Sequence, residues 1–184
     1  MNNDLTLLEG IEKRRSVRSY QDKPVSNDLI RKILNFGILA PSAKNKQPWN
    51  FIVIQDNKEL KDKIADLMIE KAHLSNKIDP TIIATANTIK EAPVLILVFN
   101  KFKEEHFLSN TLSIGACIEN MLLAATYFQI GSLWIGNTYI AENEIRTMFN
   151  KKEMSLAAAV ALGYSFETPN ARPRIALEEI MEWK

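Results

Sequence analysis

Three features of the sequence predict an α+β sandwich, with a central sheet flanked by helices. Two helical patterns precede the first strand-like run. Later runs of both kinds interleave more loosely than a doubly wound repeat requires. One long apolar helical pattern, Leu108 to Gln129, calls for burial at the centre of the fold. A length of 184 residues, 46% of them hydrophobic and 24% charged, suits one domain over residues 1–184 with one sizeable core. There is no internal repeat, low-complexity tract or interior linker.

The elements follow from local signals. Thr6 and Glu9 have capping-box spacing, and Leu7, Leu8 and Ile11 share a face, so a short helix runs into Lys13-Arg14-Arg15. Ser26 as N-cap, Asp28 in the first turn and Ile30, Ile33, Leu34 and Ile38 at helical spacing predict a second helix, broken by Pro41 to Pro48. Trp49 to Gln55 reads as a strand and Asn57 to about Leu74 as an amphipathic helix; residues 75–92 fit neither pattern clearly. Pro93 to Phe99 has the continuous apolar character of a strand covered on both faces. Gly131 is expected to end the long helix, with strands at Ser132 to Ile135 and Leu156 to Leu162 around a short helix, Glu142 to Phe149. Pro169 and Pro173 then keep the chain irregular until Leu177 to Trp183, which makes about 164–184 an arm.

Composition excludes several functions. Twenty-three Lys and Arg against 22 Asp and Glu leave a net charge of +1, no global field for nucleic acid or an anionic membrane. One cysteine, Cys117, and two histidines offer neither a disulfide framework nor a structural metal site. The opening MNNDLTLLEG lacks the build of a secretory signal, and the apolar runs 92–99 and 156–162 are too short to span a bilayer. A cytoplasmic protein is expected.

Four short motifs could carry chemistry. Arg14-Arg15-Ser16-Val17-Arg18-Ser19-Tyr20 places guanidinium forks and hydroxyls past a helix end, suited to phosphate oxygens; the alternative is cations answering the helix dipole. Pro41-Ser42-Ala43-Lys44-Asn45-Lys46-Gln47-Pro48-Trp49 is a rigid loop rich in amides and hydroxyls, suited to a polar heteroaromatic ring, or merely a connection anchored by Trp49. Gly131-Ser132-Leu133-Trp134-Ile135-Gly136-Asn137 allows close backbone approach to a flat ligand. Gly163-Tyr164 followed by Arg172-Pro173-Arg174 supplies a late basic pair, aimed at one anion only if Pro173 kinks the chain.

Taken in this order along nearly the whole chain, the four motifs resemble those of the FMN-dependent nitroreductase family. That resemblance implies a central mixed β-sheet flanked by helices, in an intertwined homodimer with FMN at the subunit interface. By position, Arg14, Ser16 and Arg18 match the first subunit's grip on the cofactor, Arg15 contributing its backbone, and Arg172 and Arg174 the pair that closes on the phosphate. Pro41, Ser42, Asn45 and Gln47 match the loop that reaches the flavin from the other subunit. Ile135 and Gly136 match the position that offers a backbone N–H to flavin N5. The implied activity is NAD(P)H-dependent reduction of a small electron-poor acceptor, a nitroaromatic or quinone, by a ping-pong route; NADH or NADPH would use the acceptor's cleft. The absence of a Gly-x-Gly-x-x-Gly run agrees with there being no separate nicotinamide domain. Flavin performs the chemistry, so no side chain is nominated as acid or base. Cys117 is expected to be packing, and His73 and His106 surface. The rivals are dehalogenation or enone reduction on the same scaffold, a non-catalytic flavin-binding or storage protein, and a non-enzymatic interaction domain.

Overall fold

A computed structural model describes residues 5–74, 79–102, 107–166 and 168–184. Helix α1 (Leu7–Lys13) starts in the expected capping box: the Glu9 amide donates to Thr6 Oγ1 at 3.3 Å, and the Thr6 amide to Glu9 Oε2 at 2.8 Å. Helix α2 (Asn27–Gly37) is capped by Ser26 and buries Ile30 and Ile33. Strand β1 (Trp49–Gln55) and helix α3 (Lys58–Leu74) follow as predicted. The ambiguous stretch contains helix α4 (Pro80–Glu91). Its start is sharply defined, since Asp79 accepts from the Thr81 amide at 2.8 Å and Pro80 takes the first turn, where no N–H is needed. Strand β2 (Val94–Asn100), helix α5 (Phe107–Tyr127), strand β3 (Gly131–Ile135), helix α6 (Glu142–Met148) and strand β4 (Ser155–Gly163) complete the described elements.

The sheet order is β1-β2-β4-β3. Every residue of β2 is buried, and its alternation divides the core into two layers. Leu95, Leu97 and Phe99 face Ile64, Met68, Ile82 and Ile145 of α3, α4 and α6. Val94, Ile96 and Val98 face Ile33, Ile114, Ile118 and Met121 of α2 and α5. The expected α+β sandwich is therefore present. All three ladders are antiparallel, so the mixed character expected of the sheet is limited, among the described residues, to an isolated parallel bridge between Ser16 and Ser132. That bridge covers the outer edge of β3 with the segment that carries the first arginines.

Two expectations change. Gly131 does not end α5: Gln129, at φ 59°, makes the left-handed turn, and Gly131 is already in β3. A Cβ at Gly131 would lie 2.9 Å from Val17 Cγ1, so the glycine there permits the close approach of the arginine segment. The tail is not regular over Leu177 to Trp183; only Leu177–Glu179 forms a single 3-10 turn. Ile175, Leu177, Ile180 and Trp183 stay exposed, and a short helix without a surface to pack on is marginal. By length and composition α5 could cross a membrane, but Ile114, Cys117, Ile118, Met121, Leu122 and Ala125 are buried in the sandwich, which accounts for its apolarity. Burial pushes the Cys117 thiol up to about 12, as expected of a packing residue. His73 is exposed; His106 lies outside the described residues.

Candidate cofactor site

The chain turns at Arg14, the C-cap of α1, and runs along β3. Its course is held by its own bonds. The Val17 amide donates to the Ser132 carbonyl at 2.9 Å, and the buried Tyr20 hydroxyl to the Val17 carbonyl at 2.8 Å. Gln21 ties the segment to the far end of β4, its amide donating to the Tyr164 carbonyl and its Nε2 to the Ser165 carbonyl. Desolvation holds the Tyr20 hydroxyl far above its ordinary range, so it remains a donor throughout. Tyr20 entered the sequence reading only as the end of the first basic motif and Gln21 not at all; apolar Val17 and Tyr20, both buried, flank exposed Arg18 and Ser19.

Because residues 14–21 are joined to residues 164–165, both basic motifs arrive at one place. A concavity of about 220 Å³ is lined by Arg14, Arg15, Ser16 and Arg18 from the start of the chain and by Asn170, Arg172 and Arg174 from its end. Arg172 and Arg174 both line this space. Among the described residues, no carboxylate lines that space. Arg15 folds back on its own helix, its Nη1 donating to the Glu12 carbonyl at 2.6 Å and the Arg14 carbonyl at 2.8 Å, which suits a residue contributing chiefly its backbone. Arg14 meets Glu119 of α5, Nε to Oε1, at 3.3 Å.

Ile135 and Gly136 lie at the end of β3. Ile135 is buried, whereas Gly136 is exposed at an ordinary φ of −83°, and a Cβ there would meet nothing within 4 Å. Neither backbone angle nor packing within the chain demands glycine there. Trp134 is half-exposed on the opposite face of β3 from Leu133 and Ile135, over Gly115 of α5.

The second predicted half-site is elsewhere. Ser42 Oγ accepts from the Gln47 amide at 3.0 Å, and Ser113 Oγ of α5 from the Ala43 amide at 3.4 Å. Pro41, Asn45 and Gln47 are exposed, while Trp49 is buried as the anchor of β1. Lys44, Asn45 and Gln47 all have positive φ, between 47° and 53°. Ser113 and Glu119 are separated on α5 by about 9 Å of rise and about 240° of turn. The loop and the arginines are thus carried on different flanks of that helix. Within one chain, Arg14, Arg15, Ser16, Arg18, Arg172 and Arg174 come together, and Pro41, Ser42, Asn45 and Gln47 do not line the same concavity.

The sequence model of the Nitroreductase family matches residues 11–164, a span that includes the early arginines, the loop and all four strands. The chain belongs to the nitroreductase family. Among its relatives in that comparison is a Methanothermobacter thermautotrophicus protein provisionally named NADH dehydrogenase/NAD(P)H nitroreductase, 34% identical over 175 residues, 91% of this chain and 82% of the relative. The iodotyrosine deiodinase of Nematostella vectensis is 28% identical over 96% of this chain and 74% of its own length. A structure from Desulfovibrio desulfuricans, provisionally named a nitroreductase and solved with FMN, superposes with a TM-score of 0.77 at 29% identity, covering 100% of this chain and 98% of that one.

Proposed function

We propose that this family member is an FMN-dependent oxidoreductase that passes electrons from NADH or NADPH to a small electron-poor acceptor such as a nitroaromatic or quinone, and that it works as a cytoplasmic homodimer. One observation carries the reading: arginines from both ends of the chain line a single concavity, the chemistry a phosphate monoester requires. Arg14, Ser16, Arg18, Arg172 and Arg174 grip the phosphate and ribityl groups, and the Arg15 side chain secures the turn beneath them. Ile135 and Gly136 offer backbone N–H groups at the open edge of β3 to the ring. Bound FMN supplies the hydride and electron chemistry. The protein orients the cofactor, shields one of its faces and stabilises negative charge on it with N–H and guanidinium donors.

The second copy supplies what one chain leaves apart. Pro41, Ser42, Asn45 and Gln47 reach the flavin from the partner. Large apolar residues are exposed: Leu7 and Leu8 on α1 are 71% and 70% exposed, and Trp183 on the arm is 88% exposed. An apolar groove of about 390 Å³, lined by Leu7, Gly10, Phe36, Leu39, Leu123 and Tyr127, lies beside α1. Exposed apolar surface of this kind calls for a partner.

The test is spectroscopic. The purified protein is expected to carry a yellow chromophore, to gain thermal stability with added FMN and to bleach anaerobically on addition of NADH or NADPH. Colourless protein that FMN does not stabilise would return the arginines to the role of solvated surface. Yellow protein that neither nicotinamide reduces would be a storage protein. Similarity to an iodotyrosine deiodinase supports halogenated phenols as a second acceptor class. Turnover of the reduced protein with halophenols and nitroaromatics side by side separates the two.

A further inference from the structure

Glu119 stands outside the arginine concavity and acts on it through Arg14. Its Oε1 lies 3.3 Å from Arg14 Nε. The other guanidiniums with close contacts at the concavity donate to backbone carbonyls: Arg15 to Glu12 and Arg14, Arg18 to Ser16, and Arg174 to Arg172 and Pro173. Among the described residues, Arg14 is thus the arginine of this concavity that a carboxylate engages.

The atom that is engaged matters. A phosphate takes a guanidinium through two parallel N–H donors, and the pair at the end of the fork consists of the terminal nitrogens. A carboxylate on Nε fixes the plane of the guanidinium and leaves that pair free. Arg14 is well placed for this, since its side chain is only 23% exposed and it lines the concavity. We infer that Glu119 is a positioning residue: by holding Arg14 at Nε it presents the terminal nitrogens to a phosphate monoester, and so sets how strongly the site prefers FMN to riboflavin. This rests on the proposal that the concavity takes the FMN phosphate.

A negative charge near a phosphate also repels it. Glu119 is 44% exposed, however, and water and salt screen that repulsion, whereas the orientation of Arg14 acts at contact distance. The two effects separate by substitution. Glu119→Gln keeps an oxygen for Nε and removes the charge; Glu119→Ala removes both.

The experiment is titration of flavin-free protein with FMN and with riboflavin, followed by fluorescence. Glu119→Ala is expected to lower FMN affinity about tenfold, through loss of the ion-pair contact that orients Arg14, with riboflavin affinity unchanged. Glu119→Gln is expected to keep the FMN-to-riboflavin ratio within about twofold of the parent. In an Arg14→Ala background, Glu119→Ala is expected to have no further effect on the ratio. An unchanged or increased ratio in Glu119→Ala overturns the inference, as does a Glu119→Gln protein that falls as far as Glu119→Ala. A protein that combines Arg14→Ala with Glu119→Ala and loses more than Arg14→Ala alone overturns it as well. Failure of the underlying reading looks different: the unmutated protein would then bind FMN no better than riboflavin.

Discussion

The two polar regions expected to meet a cofactor differ in how the chain treats them. Residues 14–21 are tied to β3 and to residues 164–165, and the guanidiniums of the early and late basic motifs line one concavity. The loop from Pro41 to Pro48 points its amides outward, with three non-glycine residues at positive φ and hydrogen bonds made chiefly within itself and to α5. Left-handed backbone at such residues costs about 1–2 kcal/mol each, so the loop is held in a shape that local preference opposes. The first region gathers its guanidiniums within one chain. The second lines no part of that concavity, and under the proposed function it serves a second copy.

The comparison breaks most visibly at the arginines. Arg172→Ala with Arg174→Ala is expected to weaken FMN binding by more than about a hundredfold, from hydrogen bonds to a charged group worth about 1.5–3 kcal/mol each, while sedimentation still reports a dimer. Unchanged flavin occupancy would remove the arm from the site. The sharper test of the partition mixes two defective proteins. A heterodimer of the Arg172→Ala, Arg174→Ala chain with a Ser42→Ala, Asn45→Ala chain has one intact site if each site draws arginines from one chain and the loop from the other. Half the flavin is then expected to bind at parental affinity. No recovery would mean that both regions serve the same site from one chain. At the loop alone, Ser42→Ala removes the acceptor of the Gln47 amide, with an expected loss of about 1 kcal/mol in denaturant unfolding and a smaller loss of flavin affinity than at the arginines.

Much of this arrangement was legible in residue order. Caps at Thr6 and Ser26, the continuous apolar run of β2 and the two basic motifs each carry a local signal, and the structure keeps them. What was hidden depends on tertiary contact. Helix α4 escaped because Thr81, Thr85 and Thr88 dilute its apolar period, although Asp79-Pro80 announced its start; the Thr85 and Thr88 hydroxyls return to carbonyls four residues earlier and leave the helix intact. Gly131 looked like a helix end because proximity to α5 is all that sequence displays, whereas its contact with Val17 is set by a bridge across more than a hundred residues. Glu119 carries no signal at all: one carboxylate in an apolar helix becomes meaningful only when Arg14 lies beside it.

The smallest expected effect lies away from both regions and serves as their control. Glu144 of α6 meets Lys71 of α3 at 2.5 Å, and the hydrogen bond that Lys71 donates holds the Glu144 carboxyl below its ordinary range and the ammonium above its own. A lowered acid favours the folded state above the ordinary carboxylate value and loses that contribution as pH falls through the lowered one. A raised amine favours it below the ordinary lysine value and loses that contribution as pH rises through the raised one. Both contributions are therefore present at neutral pH, and both are small because the pair is about one-third exposed. Glu144→Gln is expected to lower Tm slightly at pH 7, with the gap to the parent closing in acid. The ratio of FMN to riboflavin affinity should not move. If it did, flavin preference would respond to any weakening of the sandwich, and the losses at Arg172, Arg174 and Ser42 would no longer locate a site.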